Sequence, residues 1–371
     1  MPDDVISGKL SFKEKFKKFW SNPKNRKITI ISIIGIIILS LATGFYFIFK
    51  PDIGGNLSLD VDKEEAKEQL YPSLLDGTMI SKEDANRHPL GIIVENHVDS
   101  RPQSGLSAAS VVYEAIAEGG ITRFLALYAP RGAEKVGPVR SARTYYVDWI
   151  RELNGYFAHV GGNYDALQKI KADGILDLDQ FVNSAAYWRD RSRKVSSEHT
   201  MYTSTSKLYE TATNKKYTTD NTFISYKFKT EPDLESRPES QSVFINFGNA
   251  SYNVKYVYNK EKNSYLREMA GKAHVDIENN TQIEAKNIII QLINRRSTVT
   301  AINENGWIFD LVGSGDASIF IDGKEIKATW KKENDTSRTR YYDKSSGTEI
   351  EFNPGTFWIE TIHPGLSYKV E

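Results

Sequence analysis

The chain has 371 residues, which predicts about two domains at ~150 residues each, and its 48 basic and 48 acidic residues give zero net charge. That balance is not typical of a general nucleic-acid-binding protein, and apolar residues at 40% argue against wholesale disorder. The sequence contains no cysteine, which excludes disulfides, thiolate catalysis, thiolate metal sites and a lipid-modified N-terminal cysteine.

The first 70 residues have the charge pattern of a membrane anchor. Residues 1–27 carry eight basic and three acidic side chains, a net charge of +5, and residues 28–49 carry no charge. As a helix this run would span about 33 Å, enough for a ~30 Å hydrocarbon core. Residues 51–70 carry six acidic and two basic side chains. Segments rich in Lys and Arg next to a membrane span stay on the cytoplasmic side. We therefore predict a basic cytoplasmic tail at 1–27, a single-pass transmembrane helix at 28–49 and extracellular C-terminal domains.

Two other interpretations of the apolar run stay open. A cleaved signal peptide has a shorter apolar core of ~7–15 residues, whereas this run is longer and ends in the aromatic residues 45–47. A buried helix of a soluble domain is less favoured, because this run is apolar all round. We favour an uncleaved anchor, preceded by an amphipathic stretch in which Phe16, Phe19 and Trp20 lie on the inner leaflet.

Residues 50–230 are predicted to form a linker and then an α/β domain. Residues 50–86 are acidic and lack a long apolar period, which is typical of a linker. Residues 87–230 alternate apolar runs with helical patterns, which is typical of an α/β layer fold. The predicted elements are a strand at 90–95, a hairpin of strands 111–118 and 121–129 around Gly119-Gly120, a helix at 142–155, a strand at 156–160, a helix at 163–174 and a polar-then-helical segment at 196–212.

Residues 230–242 are polar, contain two prolines and mark the predicted domain boundary. From 243 to 371, ten short strand-like runs are separated by Gly, Asn and Asp, which predicts a β-rich domain, either a sandwich or barrel-like. The predicted fold class is therefore an α/β N-terminal extracytoplasmic domain followed by a β-rich domain, with one N-terminal transmembrane helix.

Arginine replaces lysine in the predicted α/β domain. Residues 87–193 hold ten arginines and three lysines, whereas the rest of the chain holds seven arginines and 28 lysines. Arginine presents a planar fork that binds a carboxylate or phosphate at two points. Because twelve acidic residues share this segment, two interpretations stay open. The arginines are paired internally, as Arg123 with Glu114 or Glu118 would be, or they line an anion-binding cleft.

The predicted cleft lies at strand ends and at a helix start. A helix is predicted to begin near Ser141, where free backbone N–H groups beside Arg140 and Arg143 can bind an anion. His159 ends a strand, and in open α/β folds ligands collect at the carboxyl ends of strands. The candidate ligand-binding residues are Arg101, Arg123, Arg140, Arg143, Glu95 and His159.

Catalytic motifs are weak in this sequence. It contains no P-loop, dinucleotide fingerprint, nucleophile elbow or HExxH motif. Ser141 could be a nucleophile with His159 as its base and Asp148 or Asp165 orienting the ring, but a helix-capping serine explains Ser141 equally well. The catalytic residues therefore stay unassigned, and we leave open whether the protein is an enzyme.

Two patterns of carboxylate residues could support a metal site or acid–base catalysis. Glu95, His97 and Asp99 alternate along an extended segment and could meet at a metal, but a loop capped by these side chains is the favoured interpretation. Glu114 and Glu118 could act as an acid and base pair on one face of a strand, but arginine-paired or solvated glutamates are favoured. We predict no metal and no cofactor.

Several stretches resemble the YerB-like family of bacterial candidate lipoproteins. They occur in the family's order as residues 89–128, GPVRSARTYYVDW at 137–149, HVGG at 159–162, GSGDASIFIDGKEIKATW at 313–330 and NPGTFWIE at 353–360. The resemblance, over roughly 85–365, implies an envelope-associated extracytoplasmic protein with an α/β part, a β-rich part and no assigned reaction. This chain differs from the lipoprotein members in having no cysteine, so the helix itself would be the anchor.

A weaker similarity is to the LytR-CpsA-Psr family in the layout of anchor helix, α/β domain and arginine motif. Members of that family transfer lipid-linked polymers to the wall with Arg, Asp and a divalent metal. The resemblance implies that Arg140 or Arg143 would hold phosphate. The Asp that follows the family's motif arginine is replaced here by Ser141 or Thr144, which argues against transferase activity.

These patterns favour a membrane-anchored, extracytoplasmic binding module of the cell envelope. Its arginine-rich cleft would take an anionic cell-wall component or a partner's carboxylates, with no nucleic-acid partner. Two alternatives stay open: a metal-assisted enzyme acting on cell-wall polymers or lipid-linked phosphodiester precursors, and a structural scaffold that docks a membrane or division partner.

Overall fold

The computed structural model describes residues 12–24, residue 27 and residues 69–371, which fall into two units, Met1–Ala66 and Lys67–Glu371. In the first unit, helix α1 spans Phe12–Ser21, and Phe16 stacks between Phe12 and Trp20 at a spacing of four residues. The predicted transmembrane helix at 28–49 lies outside the described residues. None of the helices in the described part of the chain has the length and apolar character needed to cross a bilayer.

The second unit is rich in strands and has few helices. Its helices are α2 (Lys82–Ala85), α3 (Thr144–Arg151), α4 (Tyr164–Ala172) and α5 (Thr205–Asn214). The strands up to residue 230 are β1 (Tyr71–Pro72), β2 (Met79–Ile80), β3 (Leu90–Glu95), β4 (Val111–Ile116), β5 (Thr122–Tyr128), β6 (Tyr156–Ala158), β7 (Leu176–Asp177), β8 (Tyr187–Arg189), β9 (Met201–Thr203) and β10 (Lys227–Phe228).

The later part of the chain confirms the predicted β-rich composition. Its strands are β11 (Ser242–Asn246), β12 (Val254–Asn259), β13 (Ser264–Met269), β14 (Lys272–Ala273), β15 (Val275–Asp276), β16 (Thr281–Gln282), β17 (Glu284–Ala285), β18 (Asn287–Leu292), β19 (Arg295–Val299), β20 (Asn305–Phe309), β21 (Gly313–Ile321), β22 (Lys324–Lys332), β23 (Arg340–Asp343), β24 (Glu351–Phe352), β25 (Phe357–Ile362) and β26 (Ser367–Val370).

A ten-stranded mixed sheet is the centre of the second unit, in the order β23-β22-β21-β18-β25-β4-β5-β3-β6-β7. Strand β25 pairs in parallel with both β18 and β4, so a strand from near the C-terminus joins the two halves of the sheet. Strands β3 and β6 are also parallel, whereas β4 and β5 are antiparallel. Strands from the predicted 87–230 and 243–371 domains thus share one sheet.

Both faces of this sheet are covered. Helix α3 packs Trp149 and Ile150 against one face, next to Tyr113 and Leu125. A six-stranded sheet of β14-β13-β12-β11-β26 with β17 lies near the opposite face, which carries Val112, Phe124 and Trp358. Every residue of β4 and β25 is buried, as expected for strands covered on both sides.

The local predictions for residues 90–130 are confirmed. Strand β3 begins and ends at the predicted residues, and β4 and β5 form the predicted antiparallel hairpin. Gly119 and Gly120 make its turn with φ angles of 66° and 70°, a left-handed conformation that glycine adopts without strain.

Other elements are shorter than predicted. The helix predicted at 142–155 is confined to α3, and within 196–212 the helix begins only after Ser204, whose side chain accepts a hydrogen bond from the Lys207 N–H. Part of the predicted linker is folded: β1, β2 and α2 lie between residues 71 and 85, and Asp76 in this segment forms an ion pair with Arg131 at 3.2 Å.

Candidate functional site

The four predicted arginines divide into two sets with different partners. Arg101 and Arg140 lie near the end of β3, where Glu95 and Asn96 are. Arg123 and Arg143 lie at the Gly119-Gly120 turn, where Glu118 is. The two sets are neighbours, because Glu95 of β3 lies opposite Arg123 of β5 in the sheet, but Arg140 pairs with Glu95 whereas Arg143 pairs with Glu118.

Arg101 uses its donors within the protein. Its Nε and Nη2 donate to the side chain and carbonyl of Asn96 at 3.0 Å each, and Nη1 donates to the Ser251 carbonyl at 2.7 Å. Its guanidinium also lies 4.9 Å from the ring centre of Tyr252. Burial lowers its pKa. Arg101 therefore joins the loop after β3 to the β-rich part instead of facing a ligand.

Arg140 and Glu95 are paired, and a histidine that the sequence analysis did not select completes the group. Arg140 Nε lies 2.9 Å from Glu95 Oε1, although its N–H is not directed along the contact. His199 Nδ1 lies 2.8 Å from Glu95 Oε2. Arg140 Nη1 and Nη2 make long contacts, at 3.5 and 3.4 Å, with the exposed carboxylate of Glu198. Glu95 is buried and thus orients both neighbours.

His159 is a structural residue in this fold. Its ring is fully buried, with Nδ1 2.7 Å from the Gly161 carbonyl and Nε2 3.0 Å from Asp177 Oδ1. Both ring nitrogens therefore have partners other than Ser141. Asp148, the proposed orienting residue, is instead paired with Lys169 at 2.9 Å. The considered triad does not assemble.

The two remaining predicted arginines surround a single carboxylate. Arg143 binds Glu118 through two points, with Nη2 to Oε2 at 2.8 Å and a second, short contact from Nε. Arg123 is buried, and its Nη1 donates to the Ser141 carbonyl at 2.6 Å. The internal pairing expected for Glu118 is therefore present, but with Arg143 in place of Arg123. Glu114 pairs elsewhere, with Arg267.

A surface hollow of ≈ 350 Å³ opens beside this turn. Gly119 and Gly120 form part of its wall, and a β-carbon added at either glycine would meet nothing within 4 Å. Arg295, Trp307 and His363 line the hollow from the later part of the chain. The hydroxyl of Thr144, next to Arg143, donates to the Trp307 carbonyl at 3.4 Å. The hollow and the Arg123–Arg143–Glu118 group are therefore neighbours.

Arg295 is the arginine that the sequence analysis missed. Its guanidinium stacks on Trp307, 3.9 Å from the ring centre, and Nη1 is buried without a hydrogen-bond partner. Within residues 12–24, 27 and 69–371, no carboxylate forms an ion pair with it. Because Arg295 is only partly buried and its guanidinium makes no hydrogen bond among the described residues, its exposed donors can bind an acceptor from outside the chain.

The electrostatics of this group indicate excess positive charge. Burial lowers the pKa of Arg123, and the neighbouring Arg143 lowers it further. Burial and then Arg295 lower the pKa of His363. Burial raises the pKa of Tyr145, which lies among these arginines, to about 12, so its hydroxyl does not neutralise them. Arg123 and Arg143 thus share the one carboxylate of Glu118, and Arg295 lines the neighbouring hollow, an arrangement that an anion would stabilise.

Glu95, His97 and Asp99 do not come together as a set of metal ligands. Glu95 points inward to Arg140 and His199, whereas His97 and Asp99 lie together at the surface beside His199. His199 comes from a segment about a hundred residues after His97. The spacing of residues in the sequence therefore could not predict that these two side chains meet.

Comparisons with known proteins agree with this architecture. The description "Protein of unknown function (DUF3048) N-terminal domain" matches residues 75–218, and the corresponding C-terminal domain matches residues 243–359. YerB of Bacillus subtilis (strain 168), described as a candidate lipoprotein, is 32% identical over 309 residues, which cover 82% of this chain and 89% of YerB. The crystal structure of YerB superposes with a TM-score of 0.70 at 28% identity, over 81% of this chain and 99% of that chain.

Proposed function

Because the chain belongs to the DUF3048 family, whose two domains it carries in order, we propose that it is a membrane-tethered extracytoplasmic protein that binds an anionic component of the cell envelope. Its similarity to a candidate lipoprotein supports an anchored position outside the cytoplasm. The uncharged run at 28–49 and the basic residues before it support an anchor with a cytoplasmic N-terminus.

The observation that carries the binding proposal is the imbalance at the hollow beside Gly119-Gly120. Arg123 and Arg143 share the one carboxylate of Glu118, and Arg295, which lines the hollow, has no ion-pair partner among the described residues. The anion would contact Arg295 directly. The positive charges of Arg123 and Arg143, next to Glu118, would attract it as well. Of the six predicted ligand-binding residues, Arg123 and Arg143 remain part of the proposed site. The other four, Arg101, Arg140, Glu95 and His159, do not line the hollow.

The chemistry of the hollow selects a small anionic group. Guanidinium binds phosphate and carboxylate at two points, and a volume of ≈ 350 Å³ accommodates one such group with a short carrier. The walls include the Gly119-Gly120 backbone and the Arg295–Trp307 stack, which suit a polyol phosphate or an acidic peptide end. Teichoic-type phosphodiesters and peptidoglycan carboxylates are the two envelope sources of these groups.

Calorimetric titration of the full-length protein in detergent tests this proposal. The probes are a short glycerol phosphate oligomer, a muramyl peptide and uncharged glycerol. We expect Arg295→Lys to raise the Kd for the anionic probe about 10- to 100-fold, because a charged hydrogen bond contributes about 1.5–3 kcal/mol. We expect Glu118→Gln to lower the Kd, because it removes a carboxylate that competes for Arg143.

The neighbouring Arg296 provides a matched control. It lies on the same strand, is exposed and is paired with Asp310 at 2.8 Å. Arg296→Lys should leave the Kd unchanged. Equal effects of Arg295→Lys and Arg296→Lys, or tighter binding of glycerol than of both anionic probes, would contradict the proposal. The stronger of the two anionic probes identifies the source of the ligand.

A further inference from the structure

A group of side chains that could bind a metal ion lies at the end of β3. None of its residues lines the arginine hollow. His97, Asp99 and His199 each offer one nitrogen or oxygen atom, and these three atoms lie within 4.8 Å of one another. His97 Nδ1 and Asp99 Oδ2 are 3.6 Å apart. Ligands around a tetrahedral zinc are about 3.3 Å apart for bonds of ~2.0–2.1 Å, so the group is close to a coordinating arrangement.

The buried carboxylate behind His199 has the position of a supporting residue in a metal site. Glu95 Oε2 lies 2.8 Å from His199 Nδ1, so Nδ1 carries the proton and Nε2 presents its lone pair outward. Histidine ligands in metal sites commonly donate their second N–H to a carboxylate in this way. Arg140 Nε lies 2.9 Å from the other oxygen of Glu95 and helps to hold this carboxylate in position. His199 is therefore oriented before any ion binds.

The outer side of the group is open to solvent. Asp99 and Glu198 have side chains 60% and 55% exposed, and Glu198 Oε1 lies 3.7 Å from His199 Nε2. The rings of His97 and His199 are stacked, 4.8 Å apart and 8° from parallel. A metal lies in the plane of each imidazole that binds it. His97, which is partly exposed, is therefore the ring that turns.

We propose that His97, Asp99 and His199 bind one divalent transition-metal ion of the zinc class, with the fourth position open to water, Glu198 or an external ligand. Two nitrogen ligands and one carboxylate suit zinc better than magnesium or calcium, which prefer oxygen ligands alone. Three protein ligands with one open position are typical of sites that act on a bound molecule. This metal site does not depend on anion binding at the arginine hollow.

Titration of the full-length protein with ZnCl₂ tests this site. The protein in detergent is first stripped of metal with a chelator, and the buffer contains no phosphate or carboxylate probe, so failure here is separate from failure of the proposed function. We expect one Zn²⁺ per chain. His97→Ala and His199→Ala should each weaken binding at least tenfold, and Glu95→Gln should weaken it about 10- to 100-fold through loss of orientation.

A histidine outside the group serves as the control. His363 lies at the arginine hollow, so His363→Ala should leave zinc affinity unchanged. Circular dichroism confirms that each variant is folded, and His97→Ala is the safest test because this side chain lies at the surface. Absence of stoichiometric binding, equal affinity in the wild type and His97→Ala, or stronger binding of Ca²⁺ than of Zn²⁺ would overturn the proposal.

Discussion

A buried carboxylate pair in the central sheet gives a quantitative prediction. Glu360 in β25 lies directly opposite Glu114 in β4, and both side chains are fully buried. Arg267 from β13 contacts Glu114 through Nη2 and lies 3.8 Å from Glu360 Oε1. One cation therefore serves two carboxylates. Burial, and then the charge of Glu114, raise the pKa of Glu360 well above its usual range. We expect Glu360 to be a neutral acid in the folded protein.

The consequence for stability follows from proton binding. An unfolded glutamate releases its proton above a pKa of about 4.3, whereas the folded protein keeps it on Glu360. Between these two pKa values the folded state binds more protons, so the free energy of unfolding falls as pH rises, by about 1.4 kcal/mol per pH unit. Below the unfolded pKa this penalty disappears. Glutamine has the same shape as the neutral acid and cannot ionise, so Glu360→Gln removes the penalty.

Urea unfolding of the wild type and Glu360→Gln between pH 4 and pH 7 measures this effect. The variant should match the wild type near pH 4 and become more stable by about 1.4 kcal/mol for each further pH unit. Glu351→Gln, an exposed position on β24, is the control and should give a flat difference. A flat difference for Glu360→Gln as well would show that Glu360 is ionised when folded and would refute the reasoning.

Three further changes test other parts of the account. Arg267→Met should lower the free energy of unfolding by about 3–5 kcal/mol, measured by urea, because it leaves Glu114 buried without its cation. Arg143→Lys should lower it by about 1 kcal/mol in the same assay, because lysine replaces a two-point contact with Glu118 by a single one. In this cysteine-free chain, a membrane-impermeant maleimide should label Ser346→Cys but not Ser7→Cys on intact cells; the reverse pattern would contradict the predicted orientation.

The sequence predicted the elements that local chemistry determines. The apolar run of β3 and the Gly119-Gly120 turn lie within short segments, so their structure follows from neighbouring residues. The insertion of β25 between β18 and β4 could not be predicted, because it depends on pairing between strands more than 200 residues apart in one case. The same holds for Arg267, which reaches Glu114 across 153 positions.

The candidate site was predictable only in part, for the same reason. The excess of arginine in residues 87–193 correctly indicated ion pairs, and Arg143 with Glu118 is one of them. Arg295 lies outside that segment, and its lack of a carboxylate partner is a property of the folded surroundings. His199 is likewise recognisable as a partner of His97 only once Glu95 and the two loops are in place.

Anomalous diffraction from crystals soaked in arsenate, a heavy analogue of phosphate, tests the central claim most directly. The account predicts an arsenic peak in the hollow beside Gly119-Gly120, within hydrogen-bond distance of the Arg295 guanidinium, and no such peak in Arg295→Lys crystals soaked in the same way. An empty hollow in the wild type at arsenate concentrations that saturate binding in solution would contradict it.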